Sequence, residues 1–508
     1  MINLCVIMGI LTYSFGVRAA ELPADAKELL GKLPGKTISL DVVLSRAMKS
    51  SDSFEAVASQ RPLAEVSSLS ARASYDPTVT AKYQWGDNRN EVANVFVPGK
   101  IKNSTYGLGA KARLPTGTDI TADFTTASNS YAFSTGSTSY YESKLSFGVE
   151  QSLWANAFGR ATRSQVQAGI AADRATTAGL ENSVESWAMG MMEVFYNAWL
   201  AKMRVNAMIE NTKRRERLEK ILRIKTRRGT AEEPDLLQVK SALIGAQAQE
   251  AEARQNLADR WQGLVITLKL PVDWLKIDPV LIPISIDDPV PEALRICKEA
   301  PAELNDDNEP ANIRQAKASA SAAESQFIAS SSQSHPDLKL KASAASNGID
   351  MTDRARTLEE NRNFNDPAYF LGVELSMPLL SRQKEADYRT KLAEKNRTRA
   401  VADQAISEWR LRWLTGCETV RRLASTAEMM REALKNQDRR AQLDERRFGI
   451  GRSSILSVVQ AGDDATTADL TLRGTEVQLR LAAWTVRRQF DGLKSYLTKL
   501  QNLEIPGL

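Results

Sequence analysis

The sequence predicts a mixed α and β chain built from two similar halves, with long coiled-coil helices and groups of amphipathic strands. Three observations carry this reading: an internal repeat, apolar seams sustained over many helical turns, and strands with one apolar face. The strands of one chain are too few to close a barrel. Strands that build a barrel wall would need other copies of the chain to complete it, and helices this long suit a coiled-coil tube.

The repeat sets the frame. Arg228-Gly229-Thr230 matches Ile450-Gly451-Arg452, with the glycines 222 positions apart. Asp235-Leu236-Leu237-Gln238-Val239 matches Ser457-Val458-Val459-Gln460-Ala461, and Trp187 matches Trp409, at the same spacing. Phe147-Gly148-Val149-Glu150 matches Leu371-Gly372-Val373-Glu374, 224 positions apart. The halves are 21–270 and 271–508. The first holds a helix, strands within 77–153 and long helices over 158–269. The second holds a linker with helices over 271–331, strands within 336–378 and long helices over 382–500.

Each long helix shows its seam. Leu180, Val184, Trp187, Met191, Val194, Ala198, Ala201, Val205 and Met208 step by threes and fours. Ile406, Trp409, Trp413, Gly416, Val420, Leu423, Ala427, Met430 and Leu434 repeat the pattern. Such spacing predicts coiled-coil packing. A helix from 158 to 228 would be about 100 Å long. After each glycine a return helix follows, over 235–269 and 454–500.

The strands alternate. Val79, Ala81, Tyr83 and Trp85 oppose Thr80, Lys82 and Gln84. Leu145, Phe147 and Val149 oppose Lys144, Ser146 and Glu150; Leu338, Leu340 and Ala342 oppose Lys339 and Lys341. Tyr369, Leu371, Val373, Leu375 and Met377 oppose Gly372, Glu374 and Ser376. The first half holds two further runs, Tyr106 to Ala112 and Ile120 to Phe124, joined by the turn Leu114-Pro115-Thr116-Gly117. Four strands from the first half and two from the second make six. Polar stretches at 87–104, 127–142 and 349–367 are expected to be long loops at the other strand ends. Alternation of this kind marks a barrel wall, although the strands of a soluble sandwich alternate too. A second arrangement leaves the 105–126 hairpin outside the wall and four strands in it.

Composition removes other classes. The chain has 508 residues with a single histidine, His335, so a His-based metal cluster or a Ser-His-Asp triad lacks raw material. No catalytic, cofactor-binding or metal-binding residues are predicted. Net charge is +5, from 67 basic and 62 acidic residues, which is no nucleic-acid binder's signature. The basic run from Lys213 to Arg228 is interrupted by Glu216 and Glu219 and reads as a solvated helix face or one that meets the C-terminal dipole. Gly449-Ile450-Gly451 is not followed by the Lys-Ser/Thr of a nucleotide loop. Trp187, Trp199, Trp409 and Trp413 read as packing residues, and Cys297 and Cys417 as two isolated thiols. Residues 1–19 resemble a cleavable export signal: Val6 to Val17 is mostly apolar and cleavage after Ala19 fits, though no basic residue precedes the apolar run. An exported chain of this pattern spans a membrane only as strands.

Two halves of strands, long helix, glycine turn and return helix resemble the TolC-type outer-membrane factors (outer membrane efflux proteins). The motifs that carry the resemblance are Arg447-Phe448-Gly449-Ile450-Gly451-Arg452-Ser453-Ser454-Ile455-Leu456-Ser457-Val458-Val459-Gln460-Ala461, and Gly148 to Leu153 with Phe158-Gly159-Arg160. The likeness extends from about Ile38 to Leu500. It implies a homotrimer with a transmembrane β-barrel in the outer membrane of a Gram-negative bacterium and an α-barrel in the periplasm. It also implies a passive exit duct for efflux or type I secretion, without cofactor or nucleic acid. Its partners would be outer-membrane lipid, a periplasmic adaptor and, indirectly, an inner-membrane pump. The adaptor would dock on Arg228, Gly229, Thr230, Ile450, Gly451 and Arg452, where Arg228 departs from the usual apolar residue. Family members often carry acids six and nine positions after the second glycine, at the closed entrance. Here those positions are Ser457 and Gln460, and the nearest acids are Asp463 and Asp464, one turn further. The constriction then lies one turn higher or has no acidic gate, and the plainer reading of the two acids is a solvated helix face. The alternative function is a soluble coiled-coil scaffold or tether.

Overall fold

The computed structural model describes residues 37–89, 91, 94, 96–133, 135–284, 286–299, 309–490 and 492–501. The proposed signal, 1–19, lies outside them. The chain forms two compact units. One holds 60–180 and 311–408; the other holds the described residues up to 59, those of 181–310 and those from 409 onward.

The elements, in chain order, are α1 (Leu40–Ser50), α2 (Asp52–Ala58), α3 (Val66–Arg72), β1 (Thr78–Arg89), β2 (Lys100–Arg113), β3 (Thr118–Phe133) and β4 (Gly136–Ser152). The long α4 (Arg160–Arg227), α5 (Glu233–Thr267), α6 (Pro289–Glu299) and α7 (Ala311–Gln333) follow. Then come β5 (Asp337–Asp350), α8 (Arg354–Asn363), β6 (Pro367–Ser376), α9 (Arg382–Gly449), α10 (Ile455–Phe490) and α11 (Lys494–Gln501).

Within the unit of 60–180 and 311–408, the six strands form one antiparallel sheet in sequential order. The 105–126 hairpin is part of the sheet. Side chains on one face fall into register rows. Val79, Ala110, Ala122, Phe147, Ala344 and Tyr369 make one such row. Ala81, Leu108, Phe124 and Leu145 continue into the next, ending on Ser346 and Pro367. The opposite face carries Lys111, Arg113, Asp119, Glu150, Lys339, Lys341 and Glu374, which pair across the strands. This is the alternation expected of a sheet with one apolar and one wet face. The apolar face is open: Val79, Leu108, Tyr369, Leu371, Val373 and Leu375 are all more than half exposed.

The predicted loops differ from what is found. Of 127–142, residues up to Phe133 and from Gly136 are strand, paired to the tip of the hairpin. Serine, threonine and tyrosine read as loop by polarity, yet threonine and tyrosine favour an extended backbone once a partner strand is present. The 349–367 stretch holds the helix α8, and 87–89 and 100–104 are strand.

The junction from β4 into α4 explains its glycines. Phe158 and Gly159 have φ of 48° and 79°. A Cβ on Gly159 would meet Pro115 O at 1.9 Å, so the β2–β3 turn seats directly on it. Arg163 donates to Pro115 O and Phe158 O, and Asn156 Oδ1 accepts from Thr162 N–H, capping α4. The Asp173 carboxylate of α4 accepts from Ser67 N–H and Ser68 N–H at 3.0 Å, closing the first turn of α3.

The other unit has a helical core. Val43, Leu44 and Ala47 of α1 meet Met192, Phe195 and Tyr196 of α4, Leu264 of α5, Trp484 of α10 and Leu493. The predicted seam of α4 is only part of what is buried: Val194 is exposed, whereas Phe195, Tyr196 and Trp199 are core. Here α4 contacts elements on several sides, so its buried face is wider than a two-stranded seam. The reading of Cys297 and Cys417 as isolated thiols is corrected, since they form a disulfide between α6 and α9 with Cα atoms 5.5 Å apart. Asp288 anchors the other end of α6 through Arg431 of α9, at 2.6 Å.

The long helices correspond in length. α4 and α9 each have 68 residues; α5 and α10 have 35 and 36. Neither 68-residue helix contains proline, so nothing interrupts its ladder.

Candidate functional site

The candidate site is the pair of helix reversals and the layer above them. In the first, Thr230 N–H donates to Lys225 O (2.9 Å) and Gly229 N–H to Thr226 O (3.0 Å). In the second, Arg452 N–H donates to Arg447 O (2.8 Å) and Gly451 N–H to Phe448 O (3.0 Å). Both are Schellman closures, which need a left-handed residue after the cap. Gly229 and Gly451 supply it, with φ of 71° and 79°. The sequence-predicted residues Arg228, Gly229, Thr230, Ile450, Gly451 and Arg452 therefore form two turns of one geometry.

The turns are held together by a small core. Leu218, Leu222, Val239, Phe448 and Ile455 are buried against one another. Lys225 of α4 donates to Phe448 O (2.6 Å), with its ammonium 4.5 Å from the Phe448 ring centre. Outside this core Ile224, Leu237, Ile450 and Leu456 are each at least half exposed.

Above it lies a layer of ion pairs between helices. Arg214 and Arg217 of α4 meet Asp438 and Glu445 of α9, both at 2.8 Å. Arg215 of α4 meets Asp463 of α10 and also donates to Val459 O. Arg440 of α9 meets Asp464 of α10 at 3.1 Å. The Glu445 hydrogen bond raises the Arg217 pKa above its ordinary value, against the opposing effect of burial. The reading of 213–228 as a solvated face thus needs correction. Arg215 is buried, and Arg214, Arg215 and Arg217 cross to neighbouring helices.

Ser457, Gln460, Asp463 and Asp464 all lie on α10. Gln460 is exposed and Ser457 half-buried, its N–H bonded to Ser454 Oγ. Asp463 remains half exposed and Asp464 a third exposed, but each is engaged by an arginine of another helix. Of the partners, Arg440 was not singled out by sequence, and Arg215 only as part of the basic run. A signal existed: the Arg214–Asp438 and Arg217–Glu445 pairs join positions 224 and 228 apart, close to the repeat spacing. Opposite charges at repeat-equivalent positions mark two helices that run side by side.

Among the described residues, no group of three or more His, Cys, Asp or Glu is placed to hold a metal ion. No helix among them is long and apolar enough to cross a membrane. His335 accepts Lys384 Nζ on its carbonyl, and its Nδ1 lies 3.0 Å from Ser332 O.

Comparison with known proteins fits this geometry. Residues 308–488 match the family described as outer membrane efflux protein. No curated protein matches the chain. Among solved structures, the Campylobacter jejuni CmeC outer membrane channel is similar at TM-score 0.64 and 12% identity, over 92% of this chain and 90% of that one. The outer membrane protein VceC of Vibrio cholerae is similar at 0.63 and 12%, over 89% and 96%. The open-state MtrE outer membrane channel of Neisseria gonorrhoeae is similar at 0.58 and 13%, over 89% of each chain. At these identities the likeness establishes the fold, which is that of an outer-membrane channel subunit. The family match is confined to residues 308–488, and the structural likeness extends the same fold over most of the chain.

Proposed function

We propose that this protein is the outer-membrane exit duct of a tripartite efflux or type I secretion system, a passive conduit with no chemistry of its own. The observation that carries it is the open apolar face of the sheet beside a pairable edge at each end. A soluble scaffold would cover that face and those edges.

The register supports a tilted membrane wall. On β1 the apolar residues run from the Val79 row away from the long helices, through Ala81 and Tyr83 to Trp85. On β6 they run from the same row toward the helices, from Tyr369 to Leu375. The band centre shifts by about six residues, roughly 20 Å, across five strand spacings of roughly 24 Å in all. That is a tilt of about 40°, the value usual for transmembrane barrels. Three copies would give a barrel of eighteen strands, and we read the chain as an internal duplication whose first half gained a hairpin.

The turns around Gly229 and Gly451 are the proposed docking points for a periplasmic adaptor, with Ile224, Ile450 and Leu456 as apolar contacts. The ion pairs of Asp463 and Asp464 are the proposed restraint on α10 at the entrance, in place of an acidic ring at Ser457 and Gln460. Energy would come from an inner-membrane pump. The test is the detergent-corrected molar mass of protein extracted from outer membranes, followed by conductance in planar bilayers. A particle of three chains that conducts supports the duct. A soluble monomer or dimer absent from the membrane fraction overturns it.

A further inference from the structure

The helix α8 interrupts the apolar face of the sheet at one defined height. It packs on that face, not on the charged one. Ser143 Oγ of β4 donates to Thr357 O at 2.7 Å, and Asn361 Nδ2 donates to Ser143 Oγ. Gly348 of β5 makes room, since a Cβ there would come within 2.5 Å of Thr357 O. The Arg354 guanidinium lies 5.4 Å from the ring centres of both Tyr106 and Tyr141. All of these sheet residues share the face of Leu145, Phe147 and Tyr369.

The register fixes how far from the band this is. On β4 the apolar run ends at Leu145, and Ser143 and Tyr141 are the next two positions on that face. On β5 the run ends at Ala344, and Ser346 and Gly348 follow. With a tilt near 40°, each such step is about 5 Å of height, so α8 sits roughly 5–10 Å beyond the band. It is at the end of the sheet remote from α4 and α9. At the same end of the sheet the apolar run of β1 closes on Tyr83 and Trp85 and that of β2 on Tyr106, side chains of the kind that settle at membrane interfaces. Beneath α8 the sheet is small and polar, with Ser143, Ser346 and Gly348 fully covered. On its open side α8 exposes Arg356, Glu359 and Arg362, beside the partly exposed Leu358.

We propose that α8 is a membrane-surface helix: it lies in the headgroup layer of the outer leaflet, covers a polar notch in the wall, and presents Leu358 and Arg362 to lipid headgroups. This rests on the membrane reading of the sheet given above. The argument is continuity: α8 begins where the lipid-facing band ends, on the same face, with interfacial aromatics beside it.

The test uses the full-length protein in its oxidised form, so that the Cys297–Cys417 bridge stays closed, with Cys5→Ser. Single cysteines replace Leu358, Arg362, Leu371 or Asn347 and carry an environment-sensitive fluorophore. The protein is reconstituted in vesicles of phosphatidylethanolamine and phosphatidylglycerol bearing a nitroxide on the headgroup or deep in the acyl chain. Labels at 358 and 362 should be quenched several-fold more by the headgroup probe than by the chain probe. The label at 371 should show the reverse, and the label at 347, on the charged face, should respond to neither. If 371 behaves as expected while 358 and 362 respond to neither probe, or chiefly to the chain probe, the placement of α8 is wrong. If 371 itself is unquenched, the membrane reading fails and this inference with it.

Discussion

Gly229 and Gly451 each hold a left-handed backbone that closes a helix end, and no side chain obstructs either from outside. The cost of a substitution there is therefore conformational and not steric. Gly229→Ala or Gly451→Ala should each destabilise its turn by about 1–2 kcal/mol. Amide exchange at the ends of α4 and α9 should accelerate about tenfold, with the distant core unchanged. Asp463 is a different case, because its partner Arg215 is buried and would keep only the Val459 carbonyl. Asp463 itself is half exposed, which discounts the pair to about 1–2 kcal/mol. The double variant Asp463→Asn with Asp464→Asn should loosen α10 and raise single-channel conductance in planar bilayers; unchanged conductance would remove these pairs from any gating role. Residues whose role is set by their own backbone were legible in the sequence, as the glycines were. Cys297 and Cys417 were not, because 120 residues separate them and only tertiary packing brings α6 against α9.

α6 is an eleven-residue helix pinned at both ends, by the disulfide near its C-terminus and by Asp288 before its N-terminus. Closing a 120-residue loop lowers the entropy of the unfolded chain by about 5 kcal/mol in stability terms. Reductant, or the pair Cys297→Ser and Cys417→Ser, should lower the melting temperature markedly and by the same amount. The Asp288 carboxyl is held below its ordinary value of 3.8 by its hydrogen bond to Arg431, with burial opposing. A depressed carboxylate stabilises the fold above the unfolded value and loses that contribution as pH falls through the folded one. The melting difference between wild type and Asp288→Asn should thus be constant from neutrality down to about pH 5 and shrink as pH falls below 3.8. Among elements, the long helices and all six strands were legible because their patterns persist for many residues. α8 was not, since its buried side is made of Thr357, Asn361 and half-buried Arg354 and offers no apolar stripe. The strand ends of β3 and β4 were read as loop because polarity and not pairing was visible.

For the whole molecule, β1 and β6 leave the sheet with two unpaired edges, and their outward residues are exposed along most of their length. A substitution that blocks pairing there should leave helical content intact and abolish the assembled particle. Val373→Pro on β6 is suitable. The readout is the detergent-corrected mass beside far-ultraviolet circular dichroism, and a normal trimer from that variant would refute edge-to-edge assembly. The sheet strands and the two reversals could be read from the sequence because their patterns recur within the chain. The ion-pair layer above the tips could not, because it depends on which helices become neighbours.

The strand count also constrains how such a wall can change. The first strand runs one way and the sixth the other, so copies joined head to tail meet antiparallel at every seam. One additional strand in either half would start the long helix that follows it from the opposite end of the sheet, and would make the seam parallel. Enlargement is therefore possible only in pairs, and the two further runs of the first half, β2 and β3 with their turn, obey this parity rule.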